Sequence, residues 1–194
     1  MGTIKTTNIE TITGSGTLTL GQSGETISVP SGATINLSNA TQTGVGGDLT
    51  PAFQVTKSSA QTVSHATTTK VTWDTETFDT DNAFASNKFT VPSGEGGKYL
   101  FNFHLQVTRG VDSDTYRVYT MLYKNGSQVN LINLNLSGTS GRVLNAGGSQ
   151  MLNLAASDYI EIYVNTASSS TNSISLAGSS TETCVFGGYK LLGV

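Results

Sequence analysis

From Tyr99 to Val107 every second residue is large and apolar: Tyr99, Phe101, Phe103, Leu105 and Val107 alternate with Leu100, Asn102, His104 and Gln106. Strand side chains point alternately to opposite faces, so this period of two predicts a strand with one wholly apolar face. Upstream, Phe84 and Phe89 bracket a polar turn, and Val91-Pro92 runs into Gly94, Gly96 and Gly97. That spelling places an edge or loop connection before the strand.

Other stretches repeat the pattern. Phe53 and Val55 open a strand, a Ser/Thr-rich loop runs to Thr69, and Val71-Thr72-Trp73 restores alternation. In Arg117–Lys124, Tyr119, Met121 and Tyr123 share one face and Val118 and Leu122 the other, so both faces are apolar. Asn125-Gly126 supplies the two positive φ values of a type I′ hairpin turn. In the return strand Val129 and Leu131 fall on odd positions but Ile132, Leu134 and Leu136 on even ones, which predicts a bulge near Leu131. Gly138–Gly148 reads as a loop, and Met151–Leu154 and Tyr159–Val164 as strands. Ile160, Ile162 and Val164 lie on one face of the latter, Tyr159 and Tyr163 on the other. Ile174 with Leu176, and Thr183–Leu192, complete the set. With no convincing helical period, the expected class is all-β, in sandwich style.

Residues 1–48 differ. They hold no aromatic residue, and the pairs Leu18/Leu20, Ile27/Val29 and Ile35/Leu37 are separated by Gly, Ser or Pro-Ser-Gly turns. Such pieces bury little alone and need stacked repeats or copies from several chains. The expectation is an N-terminal β-rich stalk or anchor over 1–48, a hinge at Gly44–Asp48, and a head over 49–194; a disordered linker is the alternative for the first segment.

Charged residues are 12% of the 194, about half the usual share, and the net charge is −3. Clustered Lys and Arg are lacking, so nucleic acid is not an expected partner. MGTIKTTNIE opens without an apolar run, and neither a signal peptide nor a membrane partner is expected. Cys184 is the single cysteine, which excludes an intrachain disulfide and a multi-cysteine metal site and suggests a buried small residue. Sequons at Asn36, Asn39, Asn125 and Asn135 follow from composition.

Only His65 and His104 offer an imidazole, one in a polar loop and one on the less apolar strand face, so no enzyme is expected. Asp112/Asp114 and Asp79/Asp81 have the spacing of calcium loops, but neither run continues to a Gly and a distant Glu; solvated turn carboxylates are the simpler reading. Trp73 alternates with Val71 and is expected in the core rather than stacked on a sugar. No phosphate-loop spelling is present, and no cofactor is expected.

Across residues 52–194 several pieces occur in a familiar order: Val71-Thr72-Trp73-Asp74, Phe78-Asp79, Asn82, Phe84, Lys88 to Pro92, Gly97 to Phe101, Tyr123 to Gly126, Leu152 to Leu154 with Asp158 to Ile160, and Phe186 to Leu191. Together they resemble the globular head of the complement recognition subunit, which shares the tumour-necrosis-factor-like jelly roll. Ser157 stands where that family usually has Gly, the Ser93–Gly96 loop is longer, and no collagen-like tract precedes the head. The resemblance implies a ten-stranded jelly-roll β-sandwich forming a homotrimer, with Tyr99, Phe101, Phe103, Tyr119, Tyr123, Tyr159, Tyr163 and Phe186 as core or trimer contacts. Some relatives bind calcium near the trimer apex, which makes Asp112 and Asp114 the metal candidates here.

The N-terminal repeats resemble those of phage fibre, tail and head-decoration proteins. The functional expectation is a non-enzymatic trimeric virion protein, assembled in the host cytoplasm, whose N-terminal segment holds other virion proteins. Its loops Thr56–Lys70, Thr108–Tyr116, Ser137–Gly148 and Asn165–Glu182 would meet a host glycan or protein. A capsid- or fibre-joining trimer without host ligand, a bacterial surface adhesin and a glycan hydrolase are the alternatives.

Overall fold

The computed structural model describes residues 23, 25–35, 49–109, 115–136, 143–179 and 183–191. The chain divides into two units, Met1–Val45 and Gly46–Val194. In the first, Pro30-Ser31-Gly32-Ala33 makes a turn closed by Ala33 N–H donating to the Pro30 carbonyl at 3.1 Å, with Gly32 at φ 84. A positive φ at the third of the four turn residues is type II geometry, which explains the Pro-Ser-Gly spelling. Residues 25–35 form no strand, and Ile27, Val29 and Ile35 are exposed. Leu18/Leu20 and Gly44–Asp48 lie outside the described residues.

The second unit is all strand and loop among its described residues. Its elements are β1 (Ala52–Thr56), β2 (Gln61–Val63), β3 (Thr69–Lys70), β4 (Thr75–Asp79), β5 (Phe84–Ala85), β6 (Lys88–Thr90), β7 (Gly97–Arg109), β8 (Tyr116–Lys124), β9 (Ser127–Leu136), β10 (Val143–Leu154), β11 (Tyr159–Ser168), β12 (Ile174–Leu176) and β13 (Cys184–Lys190). Sheet A runs β4-β1-β13-β7-β10, with β12 carrying β2 against the far end of β7; sheet B runs β5-β6-β11-β8-β9, with β3 also on β11. The chain changes sheet between β2 and β3, β3 and β4, β4 and β5, β6 and β7, β7 and β8, β9 and β10, β10 and β11, and β11 and β12. Antiparallel strands that alternate between two packed sheets in this order are a jelly roll.

Alternation decides what fills it. Tyr99, Phe101, Phe103, Leu105 and Val107 are all buried, and they meet Phe89, Val118, Leu122, Ile160, Ile162 and Val164 from sheet B. Phe53 stands at the middle of the aromatic cluster, stacked on Phe89 at 4.8 Å and Phe84 at 5.2 Å and edge-on to Phe186 at 5.0 Å.

Two turns follow the expected chemistry. Asn125 and Gly126 have φ values of 52 and 76, the type I′ pattern. Phe84 pairs with Phe89 around Ser86 and Asn87. Three expectations change. The bulge lies at Val129, because Leu122 faces Asn130 while Tyr123 faces Gln128, and Leu131 therefore shares the outward face with its partner Met121. The loop expected to end at Gly148 is strand from Val143 onward, paired with Thr108 to Phe103. Its glycines are tolerated in a strand because the neighbours press close; a Cβ on Gly147 would stand 2.7 Å from the Phe103 carbonyl oxygen. Val71 and Trp73 are buried outside any strand: Val71 N–H donates to the Ile162 carbonyl and Trp73 N–H to Asn87 Oδ1, so side chain and backbone partners replace a ladder.

The β11 entry is pinned by charge. Asp158 pairs with Lys124 at 2.8 Å and accepts from the Asn125 amide at 2.6 Å and from Ala155 N–H at 2.8 Å. These contacts, the Lys124 and Asn125 ones foremost, hold its carboxyl down at about 2. Ser157 beside it sits at φ 71, left-handed backbone that favours glycine. A carboxyl with a folded pKa below its unfolded value near 3.9 stabilises above that value and stops doing so as pH falls toward 2. Asp158→Asn is therefore expected to cost about 1–2 kcal/mol at pH 7 and to flatten the loss of stability between about pH 4 and 2, read by denaturant melts across that range.

Candidate interaction surfaces

The sequence-level chemical candidates take positional roles. His65 Nδ1 accepts from Ser168 N–H at 3.2 Å, tying its loop to β11. His104 is exposed on the outward face of β7. Cys184 is buried against Gln106, and burial pushes its thiol pKa up. Asp79 accepts from the N–H groups of Ala83 and Phe84 at 3.0 and 2.8 Å, so it closes a turn, and Asp81 accepts from the Thr80 hydroxyl. Asp112 and Asp114 lie outside the described residues. Among the described residues no group of three or more His, Cys, Asp or Glu side chains is placed to hold a metal, and no helix is long and apolar enough to cross a membrane.

The expected contact residues separate into two sets. Tyr99, Phe101, Phe103 and Phe186 are core. Tyr119, Tyr123, Tyr159 and Tyr163 stand on the outward face of sheet B, half-buried, around the buried Met121. Tyr123 and Tyr163 pack with ring centroids 4.4 Å apart, and Lys88 Nζ lies 4.5 Å from the Tyr159 ring centre. Lys70 bonds Glu161 at 2.6 Å on the same face.

The loops expected to do the binding are partly structural. Within Thr56–Lys70 and Asn165–Glu182, β2 and β12 pair with each other from Ile174/Val63 to Leu176/Gln61, and Val63, Ile174 and Leu176 are buried. These loops therefore close the end of the core. Residues 110–114 and 137–142 of the other two lie outside the described set.

The outward face of sheet A is the more distinctive surface. From Leu100 to Gln106, Ala52 to Gln54, Asn145 to Asn153 and Val185 to Tyr189, its outward positions carry no charge. A recess of about 550 Å³ lies over Asn102, His104, Gly147, Ser149 and Val185. A second of about 200 Å³ shares Asn102 and Val185 with it and continues to Phe78, Gly187 and Tyr189. Glycine lines each, Gly147 the first and Gly187 the second, and neighbouring backbone lies close at both; a Cβ on Gly187 would approach the Phe53 carbonyl oxygen at 2.9 Å. Phe78 reaches this face through a bulge in β4, where Val55 faces Glu76 and Gln54 faces Phe78. On this face β10 exposes Val143 and Met151, the latter 66% exposed, and β9 beside it exposes Val129.

Pattern reading missed this surface because its mark is an absence of side chains. Gly147-Gly148 and Gly187-Gly188 were the available signal, legible only once both pairs are known to lie on neighbours of β7.

Strand order and two packed sheets define a jelly-roll domain. No family model and no curated protein matches the chain. Among solved structures it is similar to the globular domain of zebrafish complement 1qA protein, with 17% identity over 73% of this chain and 97% of that one and a TM-score of 0.48. It is also similar to murine APRIL, with 14% identity over 72% of this chain and 98% of that one and a TM-score of 0.48. The strand order, not these likenesses, defines the fold.

Proposed function

We propose that this chain is a non-enzymatic, homotrimeric structural protein of a virion, a fibre, spike or head-decoration component, whose jelly-roll head is displayed for contact with a host surface glycan or protein. The observation that carries the trimer is the pairing, on one chain, of an uncharged recessed face with an apolar rim at Val129, Val143 and Met151. A knob and a recess on different patches of the same surface make a heterologous contact, and such contacts close into a ring when the rotation allows. The virion setting is supported by the Thr/Ser/Gly-rich, charge-poor composition and the N-terminal repeats. Exposed Ile27, Val29 and Ile35 in the first unit fit a segment that buries its apolar side chains against other chains.

Mass photometry of the full chain is expected to give a particle of three 20.2 kDa subunits at micromolar concentration. A monomer there removes the architecture. On a glycan array, retention by the trimer alone is the expected result, since three weak sites gain by avidity. No retained glycan favours a trimer that only joins virion parts.

A further inference from the structure

At the edge of the head opposite β9 and β10, β4 ends sheet A and β5 ends sheet B. Among the described residues β4 pairs only with β1, so one of its edges is free to accept another strand. Between these two edge strands lies a groove of about 360 Å³. Trp73 and Phe84 contribute aromatic surface to it, Asp74 and Glu76 carboxylates, and Asn87 a polar wall.

The two carboxylates are held differently. The β4 bulge aligns Glu76 with the core-facing Val55, which turns it to the groove, and Glu76 makes no ion pair among the described residues. Asp74 is anchored by Ser58 and Ser59 N–H groups, so its charge is fixed in position. Of the neighbouring cations, buried Lys57 donates to the Thr72 carbonyl at 2.6 Å while its charge also interacts with Asp74, whereas Lys70 bonds Glu161 and Lys88 lies over Tyr159. Trp73 is 8% exposed, and its buried indole Nε1–H has no partner among the described residues. Aromatic surface beside fixed carboxylates is a cation site, and an open strand edge next to it suits an extended peptide.

We propose that this groove receives the lysine or arginine side chain of an extended partner segment that pairs along the free edge of β4. The aliphatic stem lies on Trp73 and Phe84, and the cationic head sits between Asp74 and Glu76. The site does not depend on the trimer reading.

Trp73 is the sole tryptophan, so its fluorescence and its single indole N–H resonance report on this groove. The full chain is titrated with the peptide acetyl-Thr-Val-Arg-Val-Thr-amide and with versions carrying Gln or Glu in place of Arg. The Arg peptide is expected to shift the indole resonance saturably, the Gln peptide to bind about tenfold more weakly, and the Glu peptide not to bind. Glu76→Gln lies on an exposed edge strand; it should weaken the Arg peptide several-fold and leave the Gln peptide unchanged. An indole resonance unmoved by millimolar Arg peptide, or moved alike by all three peptides, overturns the proposal, as does an Arg affinity insensitive to Glu76→Gln in a variant whose free spectrum matches the wild type.

Discussion

Phe53→Ala is expected to cost about 3–5 kcal/mol of stability, a large part of the roughly 5–15 kcal/mol that holds a domain of this kind folded. Phe53 is 1% exposed and belongs to β1, yet its ring stacks on Phe89 and Phe84 across the sandwich and meets Phe186 on the neighbouring strand. Truncation removes the transfer free energy of the ring and leaves a cavity with aromatic walls. Those walls are fixed by other contacts, Phe89 against Phe101 at 5.6 Å and Phe101 against Phe186 at 6.2 Å, so collapse into the space is limited. Phe53→Leu keeps most of the volume and is expected to lose less than half as much. Guanidinium unfolding followed by Trp73 fluorescence reads both, because Trp73 packs 5.7 Å from Phe186 and leaves that environment when the cluster opens. A Phe53→Ala head that loses under about 1 kcal/mol would mean the aromatic cluster is not the stabilising centre.

What the sequence disclosed follows a physical line. Buried faces leave a residue pattern: the alternation of Tyr99 to Val107 and of Ile160 to Val164 is the core, and Asn125-Gly126 is the hairpin its φ preferences require. Phase changes are harder to place, since a bulge is one extra residue anywhere along a strand. It lies at Val129 rather than near Leu131, and a second one sends Phe78 outward and Glu76 into a groove. Spacing alone leaves the four outward tyrosines as core or subunit-contact residues, because a large ring on alternate positions looks the same whether it faces a second sheet or the outside. Surfaces built by omission left the least trace. Gly147 reads as a loop residue and Gly187 as part of the closing segment, and only their register against His104 and Asn102 on β7 places both in one face. The acidic groove joins Asp74, Glu76 and Phe84 through sheet edges, a relation set by topology rather than by local spacing.

That same omission is what a single charge should expose. Asn102 lies on the outward side of β7, opposite Ser149 on β10 and Gly187 on β13, and lines both recesses. If the proposed trimer forms, Asn102→Arg is expected to convert it to monomers at micromolar concentration without unfolding the head. An exposed strand position tolerates the change within about 0.5 kcal/mol in the isolated subunit. In a trimer that seats its neighbour on this face, three guanidinium groups would be buried without partners, each at a cost of several kcal/mol, enough to lower association by more than about a thousandfold. Met151→Glu places a charge on the apolar rim and is expected to act in the same direction. Asn165→Arg, on the tyrosine-bearing outer face of sheet B opposite Tyr119, serves as the contrast and should leave the trimer intact. Mass photometry with a thermal melt of each variant separates dissociation from unfolding. Dissociation by Asn165→Arg with Asn102→Arg still trimeric would move the subunit contact to the tyrosine face and leave the recesses of sheet A open to solvent.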